Sequence, residues 1–230
     1  MANREDRRVL KVAIMSFILA VFMFLVGVLI GSSLQRSYIA DAEKTLYYIQ
    51  SQFEDLESAM YLPYSNKDLT CKYLAIKLQD VDKSLERLQP SIVKMERDLN
   101  VNSEMYRMLK TRFISTRLKY WLLSEQLRSS CNPNTTTALF FYTTKDKCDD
   151  CTTQGYILSH VQSKVGKENF YVSAVDVNED LVLIKTITLA YNISDVPAVI
   201  IDGSTVKKGL VNESVLIDYI CSKITCNSTE

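Results

Sequence analysis

The chain has 230 residues and a mass of 26.3 kDa, and 27 Lys and Arg balance 27 Asp and Glu, so its formal net charge is zero. That balance argues against nucleic-acid binding, which needs a net-basic face, and hydrophobic residues at 47% with charged residues at 23% exclude wholesale disorder. Only 6 Gly and 4 Pro imply long helices and few turns, while 6 Cys raise the question of redox compartment.

Residues 12–31, VAIMSFILAVFMFLVGVLIG, carry no charge. As a helix rising about 1.5 Å per residue they span roughly 30 Å, the hydrocarbon core of a lipid bilayer. A cleaved signal peptide has a shorter apolar stretch, about 7–15 residues. The longer run favours an uncleaved transmembrane anchor over 12–32, although Gly31-Ser32-Ser33 leaves cleavage open. Arg4, Arg7, Arg8 and Lys11 precede the run, and the nearest cation after it is Arg36. The positive-inside bias therefore predicts a cytoplasmic N-terminus, 1–11, with everything after 32 on the outer side of a single-pass cell-membrane protein. Asn134-Thr135-Thr136, Asn192-Ile193-Ser194, Asn212-Glu213-Ser214 and Asn227-Ser228-Thr229 match the N-glycosylation acceptor pattern, individually a weak signal that agrees with this side.

Residues 33–131 read as a helical coiled-coil stalk. Ile39, Ala42, Leu46, Ile49, Phe53, Leu56 and Met60 recur at spacings of three and four. After a break at 62–66 the pattern returns in Leu74, Leu78, Val81, Leu85, Leu88, Ile92, Met95 and Leu99, and again in Tyr106, Leu109, Phe113, Thr116, Tyr120, Leu123 and Leu127. This alternation keeps one apolar stripe facing a partner helix, either within the chain or in a second copy by self-association. The simplest role is a spacer. Tyr47, Tyr48, Tyr61, Tyr64 and Trp121 read as packing residues, and Pro90 should kink the second helix. With residues 100–103 as the turn, the second and third helices run antiparallel. Cys71 and Cys131 lie equally far on either side of Val101, so a disulfide between them would staple the open end. The alternative is two unrelated buried thiols.

Beyond Cys131 the pattern changes. Residues 138–143 are an apolar strand that runs into Cys148-Asp149-Asp150-Cys151 and a helix carrying Tyr156, Ile157, Val161 and Val165. Residues 170–176 form a second strand and 181–191 a helix. Asp195-Val196-Pro197 introduces the strand 198–202, Gly203 turns it, 205–210 returns, and 215–220 closes as a helix.

The order β-α-β-α-β-β-α, with CxxC at the first strand-to-helix junction, resembles the thioredoxin fold over residues 136–225, followed by a tail at 226–230. The fold class expected is therefore an α/β thioredoxin-like domain behind a transmembrane helix and an all-α helical hairpin. The chain also resembles archaeal membrane-anchored thioredoxin-like proteins with a coiled-coil stalk. That resemblance implies Cys148 as nucleophile, Cys151 as resolving thiol, and Val196 and Pro197 as the place where substrate main chain docks, Pro197 standing where the family has its cis-proline. The sequence departs from the family at Lys147, in place of its Trp, and at Asp149-Asp150, in place of its Gly-Pro. It also lacks the family's acid in the first strand.

Two intervening residues let the cysteines close a small disulfide at a helix N-terminus, with the first left exposed. The helix dipole favours the Cys148 thiolate. Asp149 and Asp150 oppose it and Lys145 and Lys147 partly offset them, which predicts a low reduction potential and a bias toward reductase or isomerase work. A zinc site would need four ligands, and no second CxxC or His pair exists, so neither metal nor cofactor is expected. His160, the only histidine, has no evident catalytic partner. Cys221 and Cys226 either clip the tail as a local disulfide or supply a relay thiol. The resulting expectation is a membrane-tethered thiol–disulfide oxidoreductase acting on exported protein clients through mixed disulfides. The alternative is a non-catalytic envelope scaffold or adaptor with a degenerate head.

Overall fold

The computed structural model describes residues 2–60, 67–98, 104–144, 147–224 and 226. The segment 62–66, the expected turn at 100–103, Tyr61, Tyr64, Leu99, Lys145 and Asn227 lie outside the described residues. The chain divides into two compact units, Met1–Lys44 and Thr45–Glu230.

The first unit is helical, belonging to α1 (Ala2–Met60). One stretch of it, Ala13–Gly31, is long and apolar enough to cross a membrane, with mean hydropathy 2.9 and none of it buried.

In the second unit α1 is followed by α2 (Lys67–Asp98), α3 (Glu104–Ser130), β1 (Thr136–Tyr142), α4 (Asp149–Val165), β2 (Phe170–Asp176), α5 (Val182–Ala190), β3 (Ala198–Ile201), β4 (Thr205–Lys208) and α6 (Glu213–Cys221). From β1 onward this is the β-α-β-α-β-β-α order expected from sequence. In the second-unit part of α1 and in α2 the three-four spacing marks the buried side. Leu46, Ile49 and Phe53 of α1 are buried, as are Leu74, Leu78, Val81, Leu85, Leu88, Ile92 and Met95 of α2. Each such side chain contributes about 1.5–3 kcal/mol on leaving water. Tyr47 and Tyr48, expected to pack, are instead exposed, at 77% and 52%. Leu46 and Ile49 take the inward positions, and the two tyrosines fall on the turn between them. α2 stays helical on both sides of Pro90. Pro90 and Glu86, whose carbonyl loses its helical partner there, are both exposed, so water can satisfy that group.

The sheet has strand order β2-β1-β3-β4. β1 and β2 are parallel, joined by the α4 crossover, whereas β3 runs antiparallel to both β1 and β4. Alternation along the strands sorts side chains between two faces. Ala138, Phe140, Phe170, Val199 and Ile201 face a core completed by Leu158 and Val161 of α4 and Leu216 and Ile220 of α6. The opposite face meets α3: Tyr120 stands edge-on to Tyr171 with ring centroids 6.2 Å apart, and the Ser173 hydroxyl donates to the Arg117 carbonyl at 2.6 Å.

α3 thus packs against both α2 and the sheet. Its burial reaches well past one stripe, taking in Ile114, Arg117, Leu118, Trp121 and Ser124. The sequence expectation is a stalk over 33–131 followed by a head over 136–225. In the structure, α3 supplies one layer of the same compact unit as the sheet.

Candidate active site

β1 leads from the middle of the sheet into Thr143-Thr144, and the Lys147 N–H donates to the Thr144 carbonyl at 2.9 Å. Cys148 then caps α4 in an extended conformation, φ −158° and ψ 92°. Its sulfur accepts the Cys151 backbone N–H at 3.1 Å, satisfying one of the donors that a helix start leaves without an intrahelical partner. Cys148 and Cys151 are disulfide-bonded. The sulfurs differ in access, because Cys151 is 4% exposed inside the α4–sheet core while Cys148 is only half-buried at its edge.

The peptide bond between Val196 and Pro197 is cis. Val196 is half-buried, Pro197 is buried, and the Val196 carbonyl oxygen lies 3.7 Å from Cys148 Sγ. The four residues Cys148, Cys151, Val196 and Pro197 are therefore brought together at one end of the sheet. Asp149 and Asp150, in the first turn of α4, are exposed, as is Lys147.

The other expected cysteine pairs lie elsewhere. Cys71 is bonded to Cys131, joining the first turns of α2 to the residue after α3, and Cys221 is bonded to Cys226 across the end of α6. His160 is exposed, its Nε2 3.6 Å from Glu213 Oε1, which Lys164 Nζ also meets at 2.6 Å. Among the described residues no group of three or more His, Cys, Asp or Glu converges as a metal site. Asn134, Asn192 and Asn212 are all exposed, and Asn212 stands at the N-cap of α6 without a side-chain capping bond.

Three polar features escape the sequence reading. Asp176, the last residue of β2 and 1% exposed, is the register partner of Tyr142 at the strand end that leads to the CxxC. Its Oδ2 binds Lys110 Nζ at 2.7 Å, and its Oδ1 accepts the Asn178 backbone N–H at 3.0 Å. Burial, followed by the Asp176 charge, pushes the Tyr142 phenol up to about 12. At the other end of β1, Asp202 accepts the Thr137 N–H at 3.0 Å and the Tyr219 hydroxyl at 2.7 Å, with Lys223 against the same carboxylate. Gln154, with no exposed surface, bonds both backbone groups of Val211. An aspartate closing an apolar strand is the only trace of this in the sequence, and it reads there as a turn residue.

No family model matches the chain, and no curated protein matches it. Among solved structures, a chloroplastic thioredoxin z is similar at 16% sequence identity and a TM-score of 0.34, covering 43% of this chain and 87% of its own.

Proposed function

We propose that this protein is a membrane-tethered thiol–disulfide oxidoreductase with a thioredoxin-like catalytic layer. In this reading Cys148 is the attacking thiol, Cys151 resolves, and Ala13–Gly31 anchors the chain with the sheet on the outer side. The supporting observation is the asymmetry of the pair: an accessible sulfur that receives a helix-start N–H at 3.1 Å, bonded to a sulfur that is 4% exposed. The N–H and the helix dipole favour negative charge on Cys148 when it leaves or attacks as thiolate.

The exchange balances as two displacements. In the reducing direction the Cys148 thiolate attacks a client disulfide; one client sulfur leaves as thiolate and a mixed disulfide forms. The Cys151 thiolate then attacks Cys148 Sγ, releasing the second client sulfur and closing Cys148–Cys151. The oxidising direction is the reverse. Clients would be exported proteins, their main chain lying along Val196-Pro197 beside the reacting sulfur.

The test is insulin reduction by the full-length protein in detergent, supplied with dithiothreitol, with Cys148→Ser as control. Turnover above the control is the expected result. Equal rates would favour a scaffold whose head no longer catalyses. A Cys151→Ala variant should accumulate mixed disulfides that identify the clients.

A further inference from the structure

Gln154 lies one helical turn beyond Cys151 and is wholly buried. A primary amide in that position is costly unless both its ends are bonded. Both are, and to one residue: Val211 donates its N–H to Gln154 Oε1 at 2.6 Å, and Gln154 Nε2 donates to the Val211 carbonyl at 3.5 Å. Two residues earlier, the Gly209 N–H donates to the Pro197 carbonyl at 2.8 Å. Gly209 has φ +75°, a conformation that glycine enters without strain, and there the chain leaves β4 and turns back toward α4. Pro197 is joined to Val196, whose carbonyl is 3.7 Å from Cys148 Sγ. Cys148 in turn is held to α4 by the Cys151 N–H. The contacts form a closed ring, Cys148–Val196–Pro197–Gly209–Val211–Gln154, completed by α4 itself.

We propose that Gln154 is a positioning residue for thiol exchange. By clamping Val211 it fixes the 209–211 segment, and through Gly209 it sets how far the Val196-Pro197 docking segment stands from the reacting sulfur. Gln154 touches no client. It acts on how well a peptide chain is held beside Cys148, so its loss weakens peptide clients and spares small ones. This rests on the thiol-exchange reading above.

The test compares full-length wild type with Gln154→Met, similar in length but without the amide. Exchange with insulin reports peptide docking, and exchange with dithiothreitol reports the sulfur pair alone. The expected result is a KM for insulin raised about tenfold, equivalent to about 1.4 kcal/mol. The kcat and the dithiothreitol rate should stay within about twofold, since neither depends on the lost hydrogen bonds. Gly209→Ala breaks the same ring elsewhere, so the double variant should be scarcely worse than the worse single one. Parallel loss of insulin and dithiothreitol exchange, or no change in either, overturns the proposal.

Amide hydrogen exchange gives a readout independent of activity. In Gln154→Met the Gly209 and Val211 amides should lose protection together while those of Phe140 and Val199 in the sheet keep theirs. Unchanged protection at Gly209 in the folded variant also overturns the proposal. If the wild type exchanges with neither probe, the thiol-exchange reading fails, and the amide measurement alone then decides whether Gln154 holds the segment.

Discussion

Lys110 Nζ stands 2.7 Å from Asp176 Oδ2, fastening α3 to the end of β2 beside the strand that leads to the CxxC. Glu179 and Glu96 approach the same ammonium at 3.6 and 3.7 Å, and Lys110 is only 15% exposed. Burial alone would lower its pKa, but the Asp176 hydrogen bond and charge, with Tyr106 and Glu96, outweigh that and leave it raised. Lys110→Met leaves a carboxylate with 1% exposure facing no other cation among the described residues, a loss of about 3 kcal/mol. Denaturant unfolding of the oxidised protein measures it, and adding Asp176→Asn should recover part of the loss. A raised folded pKa means that the lysine's contribution is fully present below its ordinary value of 10.5 and lost as pH rises through the higher folded value. The stability gap between wild type and Lys110→Met should therefore be flat from neutral pH to 10.5 and narrow only above it.

Alkaline unfolding should be governed by phenols that packing shields from water. Burial is the first cause that pushes Tyr142, Tyr171 and Tyr219 each up to about 12, with Asp176, Glu168 and Asp202 respectively adding negative charge or a hydrogen bond. Each phenol is folded as the neutral form. Its contribution is intact below the ordinary value of 10.0 and disappears as pH rises from there toward 12. A tyrosinate absorbance titration should show a late class near 12, coinciding with loss of helical circular dichroism. Tyr142→Phe should remove one proton from that class and leave the fold intact at neutral pH. A single early wave with all tyrosines ionised while the helices persist would contradict the packing described for them.

The Cys71–Cys131 disulfide closes a loop with a sequence separation of 60, spanning almost all of α2 and α3. By the chain-entropy estimate a loop of that size contributes about 4 kcal/mol, chiefly by restricting the unfolded chain. Replacing both cysteines by serine should cost roughly 2–4 kcal/mol in unfolding free energy. It should leave the insulin-reduction rate of the folded protein unchanged, because neither sulfur is part of the Cys148 site. A rate falling in proportion to stability at temperatures well below unfolding would show a coupling that the positions of the two pairs do not predict.

What could be read from sequence divides along physical lines. The apolar run 138–143 declares a central strand, because β1 is covered on both faces and offers no alternation to hide its character. The three-four positions of α2 from Leu74 to Met95 are buried as spaced. α3 was only half legible. Its stripe of Tyr106, Leu109, Phe113, Tyr120 and Leu127 is visible, and Trp121 reads as packing, yet Ile114 and Leu118 are buried as well. A second contact surface widens the apolar arc until periodicity no longer separates partner helix from sheet. Cys148 and Cys151 were legible through their spacing at a strand-to-helix junction, and Pro197 only through the resemblance. Gln154, Asp176 and Asp202 were not, because a buried polar residue is identified by its partners, and those partners are 57, 66 and 65 positions away in Val211, Lys110 and Thr137.

The acidic interior of the CxxC supplies the sharpest test of the electrostatics. In the disulfide form the Cys148 sulfur accepts the Cys151 N–H at the start of α4. On reduction that donor and the helix dipole should favour a thiolate there, opposed by the charges of Asp149 and Asp150 in the same turn. Both aspartates are exposed, so water screens them and each contributes well under 1 kcal/mol. Asp149→Asn with Asp150→Asn should therefore enlarge the thiolate fraction of Cys148 about twofold to fivefold at neutral pH and low salt. That is seen as faster alkylation of Cys148, while Cys151, at 4% exposure, stays protected. Because the reduced form gains stability, the couple becomes more oxidising, by no more than roughly 20 mV. About 1 M salt shortens the screening length to roughly 3 Å and should erase most of the difference between variant and wild type. A difference that survives high salt would mean the aspartates act through helix structure instead, and alkylation unaffected at low salt would remove them from the chemistry of Cys148.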